Sequence, residues 1–399
     1  MSWDYVTLDK LGSVSRGKSK HRPRNDKTLF GGKYPFIQTA DVKAAGLYLT
    51  EYNETYSDKG LAQSKLWPAG TLCITIAANI ADTTILGIDA CFPDSVMGFI
   101  PYEGVSNVKF VKYAFDILQR DCKKISQGTA QDNLSWKKLS TIKFPAPDIE
   151  IQDRIVSVLS VYDDLIENNQ KQIKLLEEAA QRLYKEWFVN LRFPGYEDVK
   201  IVDGVPEGWT YKRVEEFGEV TTGKTPSTSK TEYYGGNIPF VTIPDMHGTV
   251  FPLVTEKTLT KVGADTQKSK YLPANTVIVS CIATVGLVNI AIEPCQTNQQ
   301  INSVILHDDN NLYFFYESMK RIKALLDGVG SNGATMTNVN KTKFSNIKVL
   351  YPTEDLVMKY NEFCKSIFDK ILALSKAMLI CEQSRDRLLP KLMNGEIEV

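Results

Sequence analysis

The chain has 399 residues, 43% of them hydrophobic and 24% charged, with 47 basic side chains balanced by 47 acidic ones for a net charge of +0. That length allows two or three domains with proper cores, and neutrality argues against indiscriminate nucleic-acid binding while leaving room for a local basic site. The seven cysteines show no CxxC pair and no His/Cys spacing for zinc, as in a cytoplasmic protein with reduced thiols. Nor is there an N-terminal signal core or a run near the roughly 18 apolar residues of a membrane span.

In chain order, Trp3-Asp-Tyr5 and Gly12-x-Val14-x-x-Gly17-Lys18 come first, within a basic stretch. Lys10, Arg16, Lys18, Lys20, Arg22, Arg24, Lys27 and Lys33 face one acid there, Asp26. Short runs rich in Val, Ile and Thr follow at 71–77 and 142–144, bounded by Pro and Gly as strands are. One helix is expected near 111–123.

From 151 to 190 the pattern changes. Steps of four and three land on Ile155, Leu159, Tyr162, Ile166, Asn169, Ile173, Leu176, Ala180, Leu183 and Trp187. An a/d heptad held this long makes a rod on the order of 60 Å that must bury its seam against another helix. The partner is expected in the same chain. Adding 205 gives Tyr360, Cys364, Ile367, Ile371, Leu374, Met378, Cys381, Arg385, Leu388 and Leu392. This second seam is rougher, and Pro390 should kink or end its helix.

The repeat extends to the whole chain. Trp209-Thr-Tyr211 and Gly218-x-Val220-x-x-Gly223-Lys224 reproduce the opening. Pro239-Phe240 with Asp245 repeats Pro35-Phe36 with Asp41, and Ser345-x-Ile347-Lys348 repeats Ser140-x-Ile142-Lys143, at offsets between 204 and 206. Strands are expected at 276–281 and 347–350 and a helix near 312–326. The expected plan is α+β: two pseudo-twofold-related mixed α/β globules, 1–150 and 209–352, with long helices at 151–192 and 353–399 and a Pro/Gly-rich linker at 193–208. The short linker favours antiparallel helices with globules at opposite ends.

Both GKS/GKT loops, Gly12 to Ser19 and Gly218 to Thr225, fit the P-loop spacing. Neither is followed by a helix start, so each reads as a turn whose hydroxyls and cations could touch phosphates. Gly328-Val-Gly330-Ser-Asn-Gly333 follows a helix instead of a strand and reads as a helix end. No catalytic constellation or metal set is evident, and no [DN]-P-P-[YF] tetrapeptide is present. What remains is duplicated, polar and loop-borne. One group is Arg16, Lys18, Lys20, Arg22 and Arg24, with Lys224, Thr225, Ser227 and Lys230 opposite. Another is Gln127, Thr129, Gln131 and Asn133, with Ser331, Asn332, Thr335, Thr337 and Asn338 opposite; Asn298, Gln299 and Gln300 form a third. Amide side chains suit adenine's N6/N7 edge, and Arg or Lys suits guanine or phosphate.

Arg182-Leu-Tyr-Lys-Glu-Trp-Phe188, Arg192-Phe-Pro-Gly-Tyr196, Val205-Pro-Glu-Gly-Trp209 and Leu388-Leu-Pro-Lys-Leu-Met-Asn-Gly-Glu-Ile397 carry a resemblance. The chain resembles the specificity subunits of type I restriction–modification systems over its whole length. The resemblance implies two target-recognition domains, each reading half of a split double-stranded DNA site, and antiparallel helices that dock two methyltransferase subunits. It also implies restriction/translocase partners, with S-adenosylmethionine and ATP/Mg on the partners and no cofactor on this chain. The alternatives are a stand-alone DNA-binding regulator, an NTPase using the paired GKS/GKT loops, and a coiled-coil scaffold.

Overall fold

A computed structural model of the chain describes residues 3–76, 81–125, 136–322 and 338–399. The chain forms two compact units, one of residues 1–168 with 379–399, the other of residues 169–378. These do not coincide with the sequence copies. Each long helix begins in one unit and ends in the other.

In the first unit a five-stranded sheet runs in the order Gly12–Arg16, Val96–Pro101, Leu72–Thr75, Thr83–Leu86, Tyr48–Leu49. A second sheet has the order Glu54–Tyr56, Phe30–Phe36, Ala90–Cys91, Leu66–Trp67. Tyr5–Thr7 pairs with Lys143–Pro145, tying the start of the globule to its end. Glycines sit where backbones or rings come close. A Cβ on Gly98 would lie 2.5 Å from the buried Trp67 ring, and one on Gly12 would lie 2.3 Å from Ile100 O.

The helix Val108–Ile125 covers the larger sheet and packs on the start of the central helix, Ile149–Phe188. Gln152, fully buried, anchors that start: it donates to Pro147 O at 2.8 Å and Val105 O at 3.0 Å and accepts from Asn107 N at 3.0 Å. Ile155 and Leu159 share one core with Leu72, Phe99 and Phe110, and with Leu389, Leu392 and Met393 from the end of the C-terminal helix. Leu388 packs at its edge. The beginning of one long helix thus lies against the end of the other, an antiparallel pairing. Each fully buried Leu, Ile or Phe contributes roughly 2 kcal/mol.

The second unit repeats the plan with a sheet ordered Gly218–Thr222, Ile301–Leu306, Val277–Ser280, Val288–Ile290 and another ordered Lys257–Leu259, Tyr234–Val241, Gln296–Thr297. Thr210–Arg213 pairs with Lys348–Tyr351. Ile201–Val202 and Val205–Pro206 form a small hairpin between the central helix and this unit. The helix Leu312–Lys320 packs against Tyr184 and Phe188 of the central helix and Tyr360 and Cys364 of the C-terminal one, with Ile371 in the same core. Ile173, Leu176, Leu183, Trp187 and Ile367 pack partly buried at its edge. Tyr360 Oη donates to Ala180 O at 3.2 Å.

One expectation needs correction: of the kink or end expected at Pro390, the end does not fall there, because the C-terminal helix, Glu354–Met393, passes through Pro390 and stops only before Gly395. A proline removes one N–H, and here that loss falls in the last turn, where the freed carbonyl is met from elsewhere in the unit. The helices also do not pair only along the a/d seam. Tyr184 and Phe188, off that ladder, are buried because a globule helix is a third partner, whereas Tyr162 and Met378, on it, are only half-buried. Ile166 and Leu374 are buried. Among the described residues no helix is long and apolar enough to cross a membrane.

Candidate nucleic-acid interface

In each unit the repeated G-x-V-x-x-G-K begins as a strand, Gly12–Arg16 or Gly218–Thr222, and leaves the sheet at its second glycine. Gly17 N donates to Val96 O at 2.9 Å and Lys18 N to Phe92 O at 3.1 Å. Gly223 N donates to Ile301 O at 3.1 Å and Lys224 N to Thr297 O at 3.0 Å. A Cβ on Gly17 would stand 2.3 Å from Phe92 O and Pro93 O; on Gly223, 2.2 Å from Asn298 O. Close backbone approach therefore requires these glycines. The chain then runs irregularly to a one-turn 3-10 helix, Lys27–Leu29 or Thr231–Tyr233, so no α-helix N-terminus faces the loop as a P-loop needs.

The loop of the first unit exposes Arg16, Lys18, Lys20, Arg22 and Arg24. Two of these are already engaged. Arg22 Nη1 folds back onto Ser19 O at 2.7 Å and His21 O at 2.8 Å. Arg24 Nη2 bridges both carboxylate oxygens of Asp94 at 3.0 and 2.9 Å. Arg16, Lys18 and Lys20 form no salt bridge among the described residues, and so remain available to phosphate. Asp26 organises the loop. It accepts from Thr28 Oγ1 at 2.7 Å and Thr28 N at 2.9 Å, and meets His21 Nε2 at 2.8 Å. The Thr28 hydroxyl foremost holds its carboxyl far below the usual range.

Beside this loop lies a cleft of about 660 Å³. Arg24, Asn25 and Lys27 line it together with Phe36 and Tyr56, stacked at 4.0 Å, and with the polar side chains Gln38 and Glu54. Lys27, a cation for phosphate, and polar edges for bases thus share one opening.

In the second unit two of the candidate groups come together. Thr225 Oγ1 donates to Gln299 Oε1 at 2.6 Å, and Gln267 Nε2 holds Lys224 O at 2.7 Å. Ser227 Oγ lies 2.8 Å from Ser229 Oγ, and Lys230 stands over the Tyr233 ring at 5.2 Å. Bonding to the Tyr233 hydroxyl raises the Lys230 pKa. Asn298 is buried and closes its own turn, accepting from Gln300 N at 3.0 Å and donating to Gln300 Oε1 at 3.1 Å. That leaves Lys224, Ser227, Gln299 and Lys230 as the exposed side chains of the set. Asn338, exposed, bridges Ile282, and Cys281 N donates to Gln300 O at 2.9 Å. Gln127, Thr129, Gln131, Asn133, Ser331, Asn332, Thr335 and Thr337 lie outside the described residues, as does Gly328 to Gly333. Sequence reasoning passed over Asp94, Asn25, Gln38 and Glu54. Asp94 had a signal, since it stands 205 residues before Gln299.

Among the described residues no group of three or more His, Cys, Asp or Glu is placed to hold a metal ion. What the two units hold in common is a duplicated cationic loop at a sheet edge. The type I restriction modification DNA specificity domain matches residues 2–178 and again 206–356.

The chain belongs to that specificity family. It is 34% identical over 327 residues to the HindI specificity subunit of Haemophilus influenzae, covering 66% of this chain and 71% of the relative. To the MjaIX specificity subunit of Methanocaldococcus jannaschii it is 25% identical over 413 aligned positions, covering 100% of this chain and 94% of the other. Among solved structures, the type I S subunit from M. genitalium matches with a TM-score of 0.56 at 16% identity, covering 98% of this chain and 96% of that one. That last likeness is one of fold. As in the family, the specificity domain occurs twice in this chain.

Proposed function

We propose that this specificity-family chain is the DNA-reading subunit of a type I restriction–modification complex. Each unit reads one half of a split, gapped site in double-stranded DNA, and the long helices set the interval and dock two methyltransferase subunits. The observation that carries this reading is the duplication of the loop: Gly17-Lys18 and Gly223-Lys224 leave their sheets through the same hydrogen bonds, in units joined by continuous helices. Two equivalent readers on one chain call for two half-sites. Chemistry falls to partners in the cytoplasm: S-adenosylmethionine on the methyltransferase, ATP and Mg on the restriction/translocase subunits.

The test is co-purification with the methyltransferase encoded alongside, then mapping of methylated positions. A gapped motif that changes in one half when residues 1–150 are exchanged for those of a relative supports the reading. A chain that takes up no methyltransferase yet holds specific DNA alone would instead be a free-standing regulator.

A further inference from the structure

The two copies share a support and differ in what it presents. Phe36 pairs in antiparallel register with Glu54, and Phe240 with Lys257. Both phenylalanines are buried and both partners are exposed. Just beyond each phenylalanine an aspartate closes a capping box: Asp41 Oδ2 accepts from Gln38 N, and Asp245 Oδ2 from Thr242 N, each at 2.8 Å. The other oxygen of each carboxylate clamps the residue before the exposed partner. Asp41 Oδ1 accepts from Asn53 Nδ2 at 2.8 Å, and Asp245 Oδ1 from Glu256 N at 2.7 Å. A strand held at the same place, through the Asn53 side chain in one copy and the Glu256 N–H in the other, thus offers a carboxylate in one and an ammonium in the other.

Glu54 is also oriented. Gln38 Nε2 donates to its Oε2 at 2.7 Å, and both side chains face the cleft flanked by Arg24 and Lys27. Lys257 Nζ has no hydrogen-bond or ion-pair partner among the described residues. An acid beside phosphates is repelled, so a carboxylate held by Gln38 in a cleft that Lys27 also lines suits an amino group better than a backbone contact.

Resting on the DNA-reading function above, we infer that Glu54, set by Gln38, and Lys257 are equivalent base-reading positions selecting bases of opposite hydrogen-bonding character. In the major groove a carboxylate accepts from the cytosine N4 amino group, and an ammonium donates to guanine O6 and N7. The two half-sites therefore differ at this position.

The experiment maps methylation by the complete complex carrying wild-type chain, Glu54→Gln, Glu54→Lys or Lys257→Glu, with melting curves to confirm folding. Glu54→Gln keeps the shape and covers the case in which Glu54→Lys fails to fold. The expected result is that each Glu54 variant relaxes or changes one base of one half, discrimination there falling roughly tenfold or more. Lys257→Glu does the same in the other half, and the gap is unchanged. An unaltered motif in folded Glu54→Gln and Lys257→Glu overturns the inference, and so does a uniform fall in rate at every base. A wild-type complex that yields no split motif overturns the DNA-reading function, and this inference with it.

Discussion

The backbone carbonyl of Asp386 accepts from Arg120 Nη1 at 3.2 Å, four residues before Pro390, whose missing N–H would have served it. The same guanidinium meets Asp386 Oδ1 at 2.5 Å. A globule side chain thus completes the helix that the proline interrupts. Arg120→Ala should destabilise the first unit by about 1–2 kcal/mol, with little of it from the ion pair, which is over one third exposed. In a Pro390→Ala background the loss should shrink, because the alanine N–H can take the carbonyl. Urea melts of the four variants check this; strictly additive losses would contradict it.

Glu317 gives a pH prediction. It is 3% exposed in the second unit, and its Oε1 has no hydrogen-bond partner. Burial foremost pushes its pKa up to about 7, against Lys320, which lowers it, while Glu177 raises it. Its charge also acts on Tyr184, Tyr316, Tyr360 and Cys364, whose own pKa values are raised by burial. The folded state holds the proton more tightly than the unfolded one. The stability this confers is present in full below the unfolded value of 4.5 and is lost as pH rises toward 7. Glu317→Gln should abolish that slope and leave the protein more stable at pH 8, by up to about 3 kcal/mol. Melting curves from pH 4 to 8 read it directly.

Glycine and lysine of the paired loops should separate cleanly. Gly17→Ala and Gly223→Ala force a Cβ against backbone carbonyls at 2.3 and 2.2 Å and should cost about 1–3 kcal/mol or more. Lys18→Ala and Lys224→Ala should leave melting unchanged, weaken DNA binding evenly across sequences and reduce the salt slope by about one each. An ATPase activity lost with the lysines would favour the nucleotide-hydrolysing alternative.

Removing one heptad from either long helix shortens it by about 10 Å, the rise of about three base pairs. The gap in the methylated site should narrow by about that much, or specific binding should fail. A heptad deletion that keeps both binding and the original gap would rule out the helices as spacer.

What could be read from the sequence was periodic or repeated. The heptads from Ile155 to Trp187 announced the rod because helix geometry imposes its period on the sequence. Partners distant in the chain left no local trace. Asp163, one of an acidic run, is buried because Tyr113 Oη donates to it and Arg385 Nη1 reaches it at 2.7 Å. Phe188 is buried by Phe314, their rings 4.9 Å apart. Arg24 looked as available as Lys18 until the fold brought Asp94 beside it. Glu54 and Lys257 become equivalents only once strand register is known.

The division of the core between chain ends bears on synthesis. The second unit, residues 169–378, is continuous and can finish folding while translation proceeds. The first cannot: Leu389, Leu392 and Met393 complete a core that opens with Leu8 and Leu11. It must wait, partly built, until residues 389–393 have cleared the ribosome. A stop codon ahead of Leu389 would therefore damage the domain that was made first.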